Sequence, residues 1–324
     1  MMRYSVIVPA YNASNTIGDC LSALVNQSIS MDVYEVIVVD DGSTDRTGEI
    51  TKRFPVKYLW QTNHGPATAR NHGAREAAGE IILFTDSDCV PVNNWIEEMA
   101  KPLENSEVVA VKGAYKTSQK SYTARFAQVE FEERFEMLKK ADSIDMVDTY
   151  SAAFRRNIFW EAGGFDESFP VANNEDTDLS YKLSRLSYKM VFNPDAIVYH
   201  LNHPDSIKKY ARLKFWRGYW RMVVYKRYPD KMFKDTYTPQ TLKLQILFLF
   251  LSFACLPLFF ISPNFIFYPL IFSISLFALS SLPFTLLSIK KDNAVGALSP
   301  FFISLRAASL GLGILWGLMS WKKR

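Results

Sequence analysis

Short apolar runs alternate with helix-spaced apolar positions along the first third of the chain. Residues 4–8, 35–39, 56–59, 81–84 and 108–112 read as strands, most of them continuous apolar runs as in a sheet covered on both faces. Between the first two, Ile17, Leu21, Leu24 and Val25 recur at helical spacing, with Ser14 or Asn15 placed to cap the helix. Asp41-Gly42 ends the second strand and Thr44-Asp45 opens the next helix. Pro66 starts an alanine-rich helix that Gly79 is expected to stop. This alternation predicts an open α/β sheet with right-handed crossovers, whose ligands gather at the carboxyl ends of the strands. Residues 122–140 predict a charged helix carrying Phe126, Val129, Glu130, Glu133 and Met137. A further helix begins within Asn174-Glu175-Asp176-Thr177-Asp178, with Asn174 as its cap and Leu179, Leu183 and Leu186 as its apolar stripe. Residues 190–193 and 196–200 read as two final short strands.

The pattern changes after residue 205. Between residues 208 and 234 there are ten Lys or Arg and a single acid. Leu213, Trp216, Trp220, Val223 and Val224 fall on one helical face there, the look of an interfacial membrane segment. Residues 242–261 and 265–287 each supply about the twenty apolar residues that a bilayer core demands. Ser262-Pro263-Asn264 joins them without charge and Lys290-Lys291 follows, so the charge rule predicts a hairpin with both ends cytosolic. A third segment, 298–321, contains Arg306 and leads into Lys322-Lys323-Arg324. It either crosses, lies along the interface or re-enters, and Gly313 and Gly317 permit close helix contact. Three parts result: a catalytic domain over 1–205, a basic interfacial region over 206–240 and a membrane region over 241–324.

Charge and cysteines narrow the field. A net charge of +4 on 324 residues gives no dispersed nucleic-acid footprint. Cys20, Cys89 and Cys255 have no C-x-x-C spacing, so neither a disulfide framework nor a zinc site is indicated, and a reducing compartment fits. The chain opens on a strand with too short an apolar run for a signal peptide, so the catalytic part is expected to stay in the cytosol.

Asp86-Ser87-Asp88 closes the run Ile81-Ile82-Leu83-Phe84-Thr85. Residues two apart in an extended segment point the same way, so both carboxylates can face one pocket. Such a pair repels unless a hard divalent cation sits between it and a phosphate, an arrangement suited to a nucleotide diphosphate. Pro9-Ala10-Tyr11-Asn12 and Asp40-Asp41-Gly42-Ser43 fall on the same carboxyl edge.

Together with Gly65-Pro66-Ala67, Ala69-Arg70-Asn71, Gly163-Gly164-Phe165-Asp166-Glu167 and the Asn174–Asp178 run, these motifs resemble, over residues 3–200, family 2 inverting glycosyltransferases of the GT-A fold. The resemblance implies an open mixed sheet flanked by helices, followed here by α-helical membrane segments. It implies single displacement of a nucleotide diphosphate from a sugar, with inversion and no covalent nucleophile. Pro9 and Tyr11 would flank the nucleobase, or simply end a strand. One of Asp40 and Asp41 would meet the base or ribose while the other caps the turn. Arg70 would either pair with the diphosphate or hold Asp86. Asp88 is the expected direct ligand of Mg²⁺ or Mn²⁺, with Asp86 nearer the ribose or a metal-bound water. His200 is a third metal ligand or a structural histidine. Asp176 would be the base that takes the acceptor proton, and Glu175 would orient it.

The Q-x-x-R-W motif of processive synthases is absent: Arg212-Leu213-Lys214-Phe215-Trp216-Arg217 stands in the comparable stretch. A single-addition transferase is therefore expected, using a nucleotide sugar (a UDP-sugar by preference) and a lipid-linked or membrane acceptor. Lys214, Arg217 and Arg221 would hold the acceptor's phosphate or bind anionic headgroups. The competing readings are an inactive nucleotide-sugar-binding membrane scaffold and a nucleotidyltransferase. The latter should carry a Gly-rich basic loop after the first strand, where Pro9-Ala10-Tyr11-Asn12 stands.

Overall fold

The apolar runs pair into one sheet. In the computed structural model, which describes residues 2–169 and 174–320, its strands are β1 (Tyr4–Ala10), β2 (Tyr34–Asp40), β3 (Lys57–Trp60), β4 (Ile81–Phe84), β5 (Cys89–Pro91), β6 (Val108–Lys116), β7 (Ala152–Arg155) and β8 (Lys189–His200). Their order is β3-β2-β1-β4-β7-β6-β8-β5. The first four neighbours run parallel, β7 is antiparallel to β4 and β6, β8 is parallel to β6, and β5 is antiparallel to β8. The sheet is thus mixed. β1 and β4 lie at its centre with both faces covered, which is why they read as continuous apolar runs.

The helices are α1 (Ile17–Val25), α2 (Thr47–Thr51), α3 (Pro66–Arg75), α4 (Trp95–Ala100), α5 (Tyr122–Leu138), α6 (Arg156–Glu161), α7 (Glu175–Arg185), α8 (Ile207–Arg227), α9 (Pro229–Phe233), α10 (Gln240–Ile261), α11 (Pro263–Lys291) and α12 (Asn293–Ser320). The last three are long and apolar enough to cross a membrane, by length and composition. Trp321 and the Lys322-Lys323-Arg324 tail lie outside the described residues. Two compact units result, Met1–Ser118 with Phe135–Asn202, and Gln119–Arg134 with His203–Arg324.

Four expectations of local structure change. α3 ends at Arg75, short of Gly79. Gly79 serves the approach to β1 instead, since a Cβ there would lie 2.6 Å from the Tyr4 carbonyl carbon. Neither Ser14 nor Asn15 caps α1, which starts after Thr16. The Ser14 amide donates to Asp45 (3.0 Å), whose other oxygen accepts from the Thr47 amide at the start of α2 (2.9 Å). The two final strands are one, β8, with a register shift between Phe192 and Ile197.

The fourth change concerns α8. Its buried residues include Tyr210, Lys214, Gly218 and Met222, four apart, while Trp216 is exposed. What changes is Lys214, expected on the polar face but buried; of the expected apolar face, Val223 and Val224 are buried and Trp216 is exposed. The reason is a partner: Glu130 of α5 is fully buried and accepts from Lys214 Nζ (2.8 Å) and the Tyr210 hydroxyl (3.0 Å). Lys214 is therefore committed inside the second unit and is removed from the set of headgroup or phosphate contacts. Burial lowers its pKa to about 7, against the opposing pull of Glu130. Phe126, Tyr210, Phe284 and Phe302 form the apolar core beside this pair.

Candidate active site

Parallel pairing aligns the carboxyl ends of β2, β1 and β4, so the loops that follow them meet. Asn12, in the left-handed region at φ 49°, donates its amide to Ser43 Oγ (2.9 Å) and accepts from the Thr44 amide (2.9 Å). Tyr11 beside it is 53% exposed, an aromatic face open to solvent at the strand end. Pro9 is half-buried in β1.

Both carboxylates after β2 are buried and engaged. Asp40 accepts from the Ser43 amide (2.8 Å) and the Tyr58 hydroxyl (2.8 Å), so it caps the turn. Asp41 accepts from the His64 amide (2.9 Å), the Gly65 amide (2.9 Å) and Gln61 Nε2 (2.7 Å). It thereby holds the loop that delivers α3. Tyr58, Gln61 and His64 were missed in the sequence; only the Gly65-Pro66 helix start hinted that this loop is fixed.

Arg70 is the hub. It projects from α3, is 3% exposed, and donates one nitrogen to Asp86 and another to Glu175, each at 2.7 Å. Of the two roles open to it, holding Asp86 is the one seen, and the second partner was not foreseen. Asn71, next on the helix, clamps the Gly163–Glu167 loop: its Oδ1 accepts from the Phe165 amide (3.0 Å) and its Nδ2 donates to the Phe165 carbonyl (2.8 Å). Among the described residues, Arg70 Nε and Glu175 Oε2 are buried without a hydrogen-bond partner.

The two acids at the start of α7 differ in environment. Glu175 is buried, and burial pushes it up to about 7, with Asp176 adding to the rise and Arg70 opposing it. Asp176 is half-buried, and its Oδ1 accepts from the Thr177 amide at 2.7 Å. A raised pKa makes Glu175 neutral below about pH 7 and ionised above it. Glu175→Gln keeps an acceptor for Arg70 but stays neutral. Its kcat/KM is expected to match the wild type below about pH 7 and fall behind above it. An equal deficit across the whole pH–rate profile would deny Glu175 an ionisation of consequence.

Asp88 meets His200 because β5 pairs antiparallel with β8, setting Cys89 opposite His200, and the Leu201 amide extends the ladder to the Asp88 carbonyl (2.9 Å). The Asp88 carboxylate is 3.9 Å from His200 Nε2. Burial raises the Asp88 pKa, with His200 opposing and Asp86 contributing. Asp88, Cys89 and His200 offer ligand atoms all within 4.8 Å of one another, a group that can hold a metal ion. The His200 ring is set by Tyr115 (centroids 5.5 Å apart) and by the Asn202 amide, which donates to Nδ1 (3.2 Å). Cys20, Cys89 and Cys255 are free thiols, the first two buried behind the acids. Arg217 and Arg221 lie on α8 in the other unit, each over an aromatic ring, Phe131 and Tyr225.

The mixed sheet with this acid-lined edge defines a GT-A glycosyltransferase. Residues 5–163 match the model of Glycosyl transferase family 2. It is 26% identical over 217 residues to the glycosyltransferase AglE of Haloferax volcanii, an alignment covering 64% of this chain and 71% of AglE. It is 29% identical over 236 residues to the probable glycosyltransferase YdaM of Bacillus subtilis, covering 68% of this chain and 53% of YdaM. For YdaM, then, the chain spans about half of its relative's length. Among solved structures, the mannosyltransferase PcManGT of Pyrobaculum calidifontis, in complex with GDP-Man and Mn²⁺, shares the fold. The TM-score is 0.64 at 22% identity, over 99% of this chain and 88% of that one.

Proposed function

We propose that the chain is a membrane-anchored, inverting, cation-dependent transferase that moves a sugar from a nucleotide diphosphate to a hydroxyl or phosphate of a lipid-linked acceptor. One observation carries the reading: Arg70 ties Asp86 to Glu175, so the carboxylates after β4 and the acids opening α7 line a single site. Tyr11 and the turn held by Asp40 and Asp41 receive the nucleoside. Asp88 and His200 suit a divalent ion, since two donors each about 2.1 Å from one ion stand roughly 3–4 Å apart, and these are 3.9 Å apart. A bound Mg²⁺ or Mn²⁺ would offset charge on the departing diphosphate. Asp176, more exposed than Glu175, takes the acceptor proton on the opposite face of the sugar. Glu175 fixes the start of α7 through Arg70. The three apolar helices support anchoring with the catalytic unit cytosolic, and Arg217 and Arg221 support contact with anionic headgroups.

The test uses detergent-solubilised full chain, UDP- and GDP-sugars, Mn²⁺ or Mg²⁺, and release of nucleotide diphosphate with and without membrane lipid extract. PcManGT holds a GDP-sugar whereas the sequence favours UDP, so both donors belong in the panel. Lipid-stimulated release abolished by chelation is expected. His200→Ala should raise the cation concentration for half-maximal rate by at least about tenfold. Binding without release from any donor would favour the scaffold reading.

A further inference from the structure

Arg306 sits near the middle of the 28-residue α12 and is 1% exposed. It donates to Glu130 Oε1 on α5 (3.1 Å) and to Gln245 Oε1 on α10 (2.8 Å). Gln245 in turn donates to the Ser280 carbonyl on α11 (3.0 Å), and Glu130 also holds Lys214 and Tyr210 of α8. A single polar level therefore joins five helices of the second unit. Near it α5 also carries Arg125, Glu132, Glu133 and Arg134. Each such charge would cost about 2.5–3.5 kcal/mol at the centre of a spanning helix, which favours placing this level at the edge of the hydrocarbon.

Beyond Arg306, residues 307–320 of α12 meet both α10, where a Cβ at Gly311 would collide with the Phe250 ring, and α8. They do not run free into lipid. A Cβ at Gly218 would collide with the Leu310 carbonyl, and one at Gly313 with the Phe215 carbonyl, so α8 and α12 touch backbone to backbone. A Cβ at Gly317 would come within 3.0 Å of the Tyr219 carbonyl, which extends the contact by a turn. The α8 partner carries Arg212, Arg217, Arg221, Lys226 and Arg227 and cannot follow α12 across a membrane. Burial agrees: 44% of the apolar window of α12 is buried against protein, compared with 11% for α10 and 17% for α11. Leu298, Phe301, Leu312, Leu315, Trp316 and Met319 are left facing outward.

We infer that α12 does not cross the membrane. It lies with α8 on one leaflet as an interfacial pair, its outward stripe covered by lipid, and only the α10–α11 hairpin is inserted. Arg306 pins the pair to Glu130, and Ser320 stays on the side of the α11–α12 turn. The inference rests on the membrane-anchored reading.

Site-directed labelling of the full chain tests it, in a Cys255→Ser background where Cys20 and Cys89 are buried. Asn293→Cys marks the α11–α12 turn, and Ser320→Cys or Met319→Cys marks the far end. Sealed right-side-out and inside-out vesicles are treated with an impermeant maleimide. Labelling of both positions from the same side is expected. Labelling of the far-end cysteine only from the opposite side would show that α12 spans, and would overturn the inference while leaving anchoring intact. Release of the protein by alkaline carbonate would instead overturn the anchored reading itself, and the inference with it.

Discussion

Asp176→Asn is expected to lower kcat by roughly 10²–10⁴-fold while donor affinity stays within about twofold. The asymmetry follows from where the two acids of α7 sit. Glu175 is spoken for: it is buried and bonded to Arg70, and its loss would loosen the site. Among the described residues the Asp176 carboxylate accepts only from Thr177, from its amide (2.7 Å) and its hydroxyl (3.4 Å), and the residue is half-buried, which leaves the carboxylate open to an incoming hydroxyl. Asparagine keeps the shape and an oxygen for Thr177 but cannot accept a proton at neutral pH. Single-displacement chemistry has no covalent intermediate to fall back on, which is why the loss should be large. The check pairs nucleotide diphosphate release with equilibrium titration of donor and cation. A variant with turnover within threefold or so of wild type would move the base elsewhere, and weakened donor binding would make Asp176 a binding residue.

The strands and the carboxyl-end clusters were legible because the information is local. β1, β2 and β4 announce themselves through the apolar runs at 6–8, 36–39 and 81–84, and parallel strands deliver their following loops to one edge whatever the details of packing. The contacts that make the edge a site were not legible. Arg70 and Glu175 are 105 residues apart, and nothing in either segment says that α3 and α7 face each other across the loops. Asp88 meets His200 only through the β5–β8 pairing, which a three-residue strand gives little sign of. Asp40 and Asp41 look interchangeable in sequence; their partners at Ser43, Tyr58 and the 61–65 loop distinguish them. α8 misled for a related reason. Amphipathicity assigns lysine to the wet face, yet Lys214 is buried because Glu130, from a helix about eighty residues earlier, supplies its counter-charge.

Arg70→Met should cost about 3–5 kcal/mol of stability, because it leaves carboxylates behind rather than removing a pair. Asp86 and Glu175 would each lose a 2.7 Å charge-assisted bond, with Asp176 adjacent and Glu175 already pushed up by burial. The deficit should grow as pH rises through about 7, where wild-type Glu175 ionises, since the variant must then bury the charge unpaired or keep its proton at rising cost. Arg70→Lys is expected to recover only part of it: one ammonium can answer one carboxylate well, but it lacks the planar fork that reaches two. Divalent cation separates the electrostatic role from simple packing. An ion held by Asp88 and shared with Asp86 would replace some of the missing positive charge, so saturating Mn²⁺ should raise the unfolding temperature of Arg70→Met more than that of wild type. Equal shifts for both proteins would mean that Arg70 fills space between α3 and α7 and does not balance their acids. Wild-type stability in the methionine variant at every pH would remove Arg70 as the tie between cation side and base side, and with it the central support for one continuous site.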